Sequence, residues 1–228
     1  MLILPDTRND LKKSSFNNLY TLREEIANGI THGLGIIFGI VALIILVALS
    51  IDKKSPLSII AFSIYGTTII LMYLCSTLYH SIIHIKAKRI LRVFDHSSIY
   101  LFIAGTYTPI ALLAFRGYLR IGILAIIWTI AILGVLFKII TYKKIDKFNK
   151  LSLSIYLLMG WISILTIKPI ITVTSIQFFI WLLSGGLLYS LGTIFYSKKT
   201  LPYSHAIWHV FVLGASIVQF LGIFIYLT

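Results

Sequence analysis

A chain of 228 residues that is 58% hydrophobic and only 12% charged, with a mean hydropathy of +0.96, is excluded from the soluble domains, which carry about 25% charged residues. Its net charge of +13 does not point to nucleic acid, because Lys and Arg fall in short clusters between apolar blocks, where orientation in a bilayer places them. Those blocks are near bilayer-spanning length, which leaves room for one domain, and the single Cys75 excludes an intramolecular disulfide and a four-cysteine metal site.

The chain opens with "MLILPDTRNDLKKSSFNNLYTLREE", which lacks an apolar core of signal-peptide length. No cleaved leader is expected, and the first span is expected to act as its own insertion signal. Residues 1–28 read as a cytoplasmic arm and residues 29–228 as one transmembrane domain. At the end of the arm, Glu25, Asn28 and His32 in "EEIANGITHG" are spaced i, i+3, i+7 and share a helical face. Catalytic, capping and packing roles all remain open for them, and Glu24 reads as a solvated neighbour.

Span one is expected over about 29–50, where Gly29 and Gly33, then Gly35 and Gly39, recur at the small-residue spacing of packed membrane helices. Span two, about 57–83, ends in "CSTLYHSIIH" and carries Ser76 and His80, with His84 just beyond it. Span three, about 93–115, opens with Asp95 and His96 in "FDHSS", and Pro109 in "GTYTPI" should kink it. Spans four, five and six are expected over about 119–140, 151–167 and 173–196. Span seven, about 203–227, begins in "LPYSHAIWHV", with His205 and His209 four apart on one face.

Charge sets the orientation. The arm carries Arg8, Lys12, Lys13 and Arg23, and the second connection Lys86, Lys88, Arg89 and Arg92. The fourth connection with its edges carries Lys138, Lys143, Lys144, Lys147 and Lys150, and the sixth Lys198 and Lys199. With seven spans these fifteen share one side, against Lys53, Lys54, Arg116, Arg120 and Lys168 on the other. The expectation is an all-α seven-helix membrane bundle with its N-terminus cytoplasmic and its C-terminus outside.

Ionisable groups inside spans cost several kcal/mol or more, and here they gather at one end. His80, Asp95, His205 and His209 fall at the cytoplasmic ends of three spans, within about 10 Å of the loop charges by helical rise. Three imidazoles at one depth suit zinc, which takes three protein ligands and a water in catalytic sites. His205 and His209 would supply two ligands and His80 the third, with His84 and His96 as rivals for that place. Asp95 would hold or deprotonate a water whose pKa zinc lowers to about 7, and Ser76, one turn from His80, would bond the water or a substrate carbonyl. Blander readings stand beside these: interfacial histidines, an Asp95 that favours a helix dipole, and a Ser76 bonded to its own backbone.

The segments "EEIANGITHGLG", "STLYHS", "FDHSSIYLFIAGTYTP" and "YSHAIWHVFVLGA" resemble the signature segments of bacterial hemolysin III proteins. That family is the prokaryotic branch of the progestin and adiponectin receptor superfamily, which is similar to the alkaline ceramidases. The resemblance runs from about Glu24 to the end of the chain. It implies seven helices, a cytoplasmic N-terminus and Zn²⁺ held by three histidines, which fall here on His80, His205 and His209. The family Asp falls on Asp95 and the family Ser on Ser76. In the ceramidases such a site hydrolyses a lipid amide, while the bacterial branch is named for haemolysis and includes members linked to membrane-fluidity homeostasis.

The expected function is a zinc-dependent hydrolase of a lipid amide or acyl bond in the bacterial plasma membrane, its substrate entering laterally between helices. A zinc-stapled, non-enzymatic sensor of membrane lipid state is the second expectation and a cytolytic pore the third. Membrane lipids are the expected partners.

Overall fold

Helix starts follow local chemistry. Thr21 and Glu24 close a reciprocal capping box, in which Glu24 N donates to Thr21 Oγ1 at 3.3 Å and Thr21 N to Glu24 Oε2 at 2.8 Å. The box launches α1, Leu22–Asp52. Ser55 caps α2, Pro56–Ser81, with proline at the first helical position where its missing N–H costs nothing. His84 caps α3, Ile85–Pro109, by accepting from Ala87 N at 3.3 Å. The computed structural model describes residues 20–198 and 200–228, so most of the expected arm lies outside the described residues.

Helix α1 begins seven residues before the expected span. At 1.5 Å rise its 31 residues measure about 46 Å, longer than a hydrocarbon core of about 30 Å. The face bearing Glu25, Asn28 and His32 is therefore regular helix at one end of the first span. At Pro109, where a kink was expected, the helix changes type. Lacking an N–H and crowding the preceding turn, the proline ends α3 in a π-helical turn, Ile110–Ala114.

Helix α4 is Gly117–Ile140, followed by a 3-10 segment Tyr142–Phe148. The fifth span is broken: α5, Asn149–Trp161, passes through a 3-10 stretch, Ile162–Thr166, into α6, Ile167–Val173. A break in lipid must have its backbone groups satisfied by protein, and Tyr107 of α3 does this. Its hydroxyl accepts from Ser163 N at 2.7 Å and donates toward the carbonyls of Met159 and Gly160 at 2.9 and 2.8 Å. Helices α7, Ile176–Ser197, and α8, Ser204–Leu227, complete the bundle.

The described residues contain seven helices long and apolar enough to cross a bilayer. The most extensive pairings are α1 with α2, α2 with α3, and α7 with α8, and α8 returns to pack on α1. Helix α3 is the most enclosed, and the core includes Tyr65, Ile69, Tyr73, Tyr100 and Phe102. The small-residue spacing in α1 works where it meets α2: a Cβ on Gly39 would lie 2.8 Å from Ile69 Cγ2, and one on Gly35 would enter the Tyr73 ring. Gly33 faces open space. Ile37, Ile44, Ile132, Leu133, Leu158 and Leu165 point outward, as a surface solvated by acyl chains requires.

Candidate metal centre

Helix α8 starts at a fixed point because Tyr203, in a left-handed turn with φ 57°, donates its backbone N–H to Glu24 Oε1 at 3.1 Å. Glu24, expected to be a solvated neighbour, thus caps α1 and ties the first turns of α1 and α8 together. The i, i+4 spacing then presents His205 and His209 on one face, opposite His80 in the last turn of α2. The three ring centroids lie 4.5–5.2 Å apart. One ligand nitrogen from each ring lies within 4.8 Å of the others, with His80 and His209 buried and His205 half-buried.

The orientation of the rings follows from their other nitrogens. His80 Nδ1 is 2.6 Å from Glu25 Oε2. A carboxylate only accepts, so the proton sits on Nδ1 and Nε2 carries the lone pair. That Nε2 is enclosed and has no hydrogen-bond partner, a costly state for a buried acceptor unless it ligates. His209 Nδ1 is 3.2 Å from the Asn28 carbonyl oxygen, which also only accepts, so its Nε2 likewise carries the lone pair. Metal-ligating histidines are held in this way, by a carboxylate or carbonyl on the nitrogen away from the ion. Three imidazole nitrogens in this arrangement fit a divalent transition metal, and zinc among them.

The face of α1 whose role the sequence left open thus supplies the partners of the cluster. Glu25 holds His80 and is itself paired with Lys88 at 2.9 Å. Asn28 offers its carbonyl to His209 and its amide lies 3.4 Å from His80 Nδ1. Thr31 adds a hydroxyl 3.2 Å from His209 Nδ1. His32 stacks on His209 at 3.4 Å between centroids and meets the Tyr73 ring edge-on. Tyr20 lies over the open side, 4.9 Å from the His205 ring and 5.8 Å from His80. Burial, with Tyr79 and Tyr196 nearby, pushes its phenol pKa upward, so it stays protonated.

Ser76 and Asp95 stand beside the cluster on the wall of a cavity of about 150 Å³. Ser76 Oγ is enclosed without a hydrogen-bond partner. Asp95 is outside the group of mutually close ligand atoms, and the groups acting on its carboxylate are His80, Ser76, Arg92 and Lys138. From there the cavity passes Phe102, Leu182, Tyr189 and Gln219 and borders the break in the fifth span at Gly160 and Ser163. The two rivals for the third ligand lie elsewhere: His84 is exposed and caps α3, and His96 Nδ1 faces Lys138 Nζ at 3.3 Å.

Two residues counted with the loop charges, Arg92 and Lys138, are buried inside the bundle. Arg92 lies within α3, 6% exposed, with its guanidinium forked onto the carboxylate of Asp146. Lys138 lies within α4 and is fully buried. The available signal was a lysine in the last turn of an apolar span, which reads as easily as a snorkelling side chain.

A family model described as haemolysin-III related matches residues 20–220. The chain is 46% identical over 208 residues to a Hemolysin-3 homolog of Bacillus subtilis (strain 168), covering 91% of this chain and 96% of that protein. It is 47% identical over 205 residues to Hemolysin-3 of Bacillus cereus, covering 90% and 92%. It is also 30% identical over 213 residues to the Monocyte to macrophage differentiation factor of Homo sapiens, covering 91% and 86%.

Proposed function

This multi-pass membrane protein belongs to the haemolysin-III-related family, and on that premise we propose that it is a zinc-dependent hydrolase of a lipid amide or related acyl bond. The observation that carries the reading is the enclosed, unpartnered Nε2 of His80, held as a lone pair by Glu25 and set against His205 and His209. Bound by these three residues, zinc supplies Lewis acidity and brings the pKa of a water to about 7. The positive-inside count and the bacterial relatives support a plasma-membrane location with the histidine end cytoplasmic.

The chain's own residues divide the remaining work. The cavity takes the acyl chain, entering laterally, along Phe102 and Leu182, and its apolar walls exclude bulk water from the polar end. The link of the lipid reaches Ser76 and Asp95. Ser76 Oγ–H, enclosed beside the Asp95 carboxylate and without a hydrogen bond of ordinary geometry, donates to the carbonyl oxygen as negative charge develops there. The Asp95 carboxylate accepts the proton of the attacking water and returns it to the leaving nitrogen or oxygen.

The test begins with zinc in detergent-purified protein, wild type beside His80→Ala and the His205→Ala/His209→Ala double variant. About one zinc per chain, lost in both variants, supports the site; a wild type that takes up none when zinc is supplied overturns it. Turnover is then followed on N-hexadecanoylethanolamine, with Asp95→Ala expected to abolish hydrolysis while retaining zinc. A second reading keeps the site without the chemistry. Because the cluster joins the ends of α1, α2 and α8, it would also serve as a staple in a lipid-responsive regulator, and zinc with no turnover would favour that reading. A cavity so largely apolar in lining favours a lipid chain over a water-filled pore.

A further inference from the structure

The function proposed above gives no work to His96, although its ring is buried on the cavity wall one residue beyond Asp95. One edge of that ring is accounted for. Lys138 Nζ lies 3.3 Å from His96 Nδ1, and this is the ammonium's one hydrogen bond among the described residues. An ammonium has three donors and no acceptor. The contact therefore requires a lone pair on Nδ1, which places the proton of the neutral imidazole on Nε2. The backbone is anchored as well, since the Tyr156 hydroxyl donates to the His96 carbonyl at 2.6 Å.

The other edge faces the cavity. Lys138, on the Nδ1 side, is not part of the cavity wall, whereas His96 is. Nε2 has no hydrogen-bond partner among the described residues, and it is not sealed into the protein as the unpartnered nitrogens of His32 and His80 are. A purely structural role for the pair accounts poorly for the lysine. Arg92 is already matched by Asp146, and although the charge of Lys138 also acts on the Asp95 carboxylate, a fully buried ammonium whose one hydrogen bond is to a neutral acceptor is expensive where an apolar side chain would pack.

We propose that His96 Nε2–H is a fixed hydrogen-bond donor for the carbonyl or carboxylate oxygen of a lipid in the cavity, with Lys138 as the positioning residue that holds the tautomer. The donor lines the same cavity as Ser76 and Asp95, which gives a lipid oxygen in that cavity two donors on its wall rather than one. The proposal rests on the hydrolase reading only for which bond that oxygen belongs to; it requires neither turnover nor the metal.

The test uses the full chain in detergent micelles with ¹⁵N-labelled histidine, the His96 resonances being identified by their loss in His96→Gln. The wild type is expected to show a bare Nδ1 and a protonated Nε2 at His96, with the Nε2–H signal moving when hexadecanamide is added. Lys138→Met is expected to release the tautomer. Hexadecanamide affinity should fall about tenfold in His96→Phe, the scale of one buried donor lost, and be largely kept in His96→Gln, whose amide retains an N–H. Zinc content should match wild type in all three variants. A protonated Nδ1 in the wild type, or His96→Phe and wild type binding the amide alike, overturns the proposal. Should His96→Phe not fold, the tautomer in wild type and Lys138→Met decides. The same shift in the His205→Ala/His209→Ala protein, with no hydrolysis by the wild type, would sink the hydrolase reading and leave this one standing.

Discussion

Two buried histidines near one end of the bundle are wired with opposite polarity. His80 gives its Nδ1 proton to the carboxylate of Glu25 and is left with a bare Nε2. His96 meets the ammonium of Lys138 at Nδ1 and is left with a protonated Nε2. The ring is the same in both, and the sign of the charge behind it decides whether it presents a lone pair or an N–H. One environment suits a cation, the other an oxygen. The partners come from different helices, Glu25 from α1 and Lys138 from α4, so each can be altered while the other stays.

The strongest way to break the contrast is to reverse the charge behind His80. Glu25→Lys would face Nδ1 with an ammonium, demand the lone pair there and move the proton to Nε2, so zinc binding is expected to be lost altogether. Glu25→Ala removes the orienting carboxylate without reversing it, and loss of such a partner weakens metal affinity about 10–100-fold. Competition with a chelator measures both. If Glu25→Lys bound zinc as wild type does, the carboxylate would have no part in holding His80.

A smaller effect sharpens the other side. Tyr107→Phe would leave Ser163 N without its acceptor in the break that borders the cavity, while the carbonyls of Met159 and Gly160 keep Ile162 N and Ser163 Oγ as donors. The expected cost is about 1 kcal/mol, the low end for a part-buried N–H left unpaired, read as a lower unfolding midpoint in detergent. Zinc affinity should not change, because the cluster is built from α1, α2 and α8.

How much of this was legible in the sequence follows the same divide. Long apolar runs locate the helices, because spanning length and burial of backbone groups admit little else. His80, His205 and His209 stood out because imidazoles in such runs are costly and two of them share a face by spacing alone. Glu25 was visible but ambiguous: a carboxylate before an apolar run looks like arm, and only the capping box at Thr21 and Glu24 makes it helix. Lys138 was counted at the edge of the fourth connection with the orienting charges, since one-dimensional hydropathy cannot separate a snorkelling lysine from a buried one. The break in the fifth span left a mark that was not read. The signal lay in Pro169, which lacks the N–H that would bond the Leu165 carbonyl inside the break, whereas Tyr107, which makes the break tolerable, lies about fifty residues away on another helix.

The smallest expected effect tests whether the two regions are independent. Thr21→Ala removes the side chain that accepts from Glu24 N and so opens the capping box, at a cost of about 1 kcal/mol. The loss is confined to the first turn of α1, where Glu25 lies, and it loosens the Glu24 side chain that receives Tyr203 N at the start of α8. Both shores of the metal cluster are held from that turn, so zinc affinity should fall several-fold, less than for Glu25→Ala because the carboxylate is still present. The His96 tautomer should not move, because α3 and α4 take nothing from that cap. A matching change at His96 would mean that the two histidines respond to one shared packing state of the bundle, rather than each to the charge behind it.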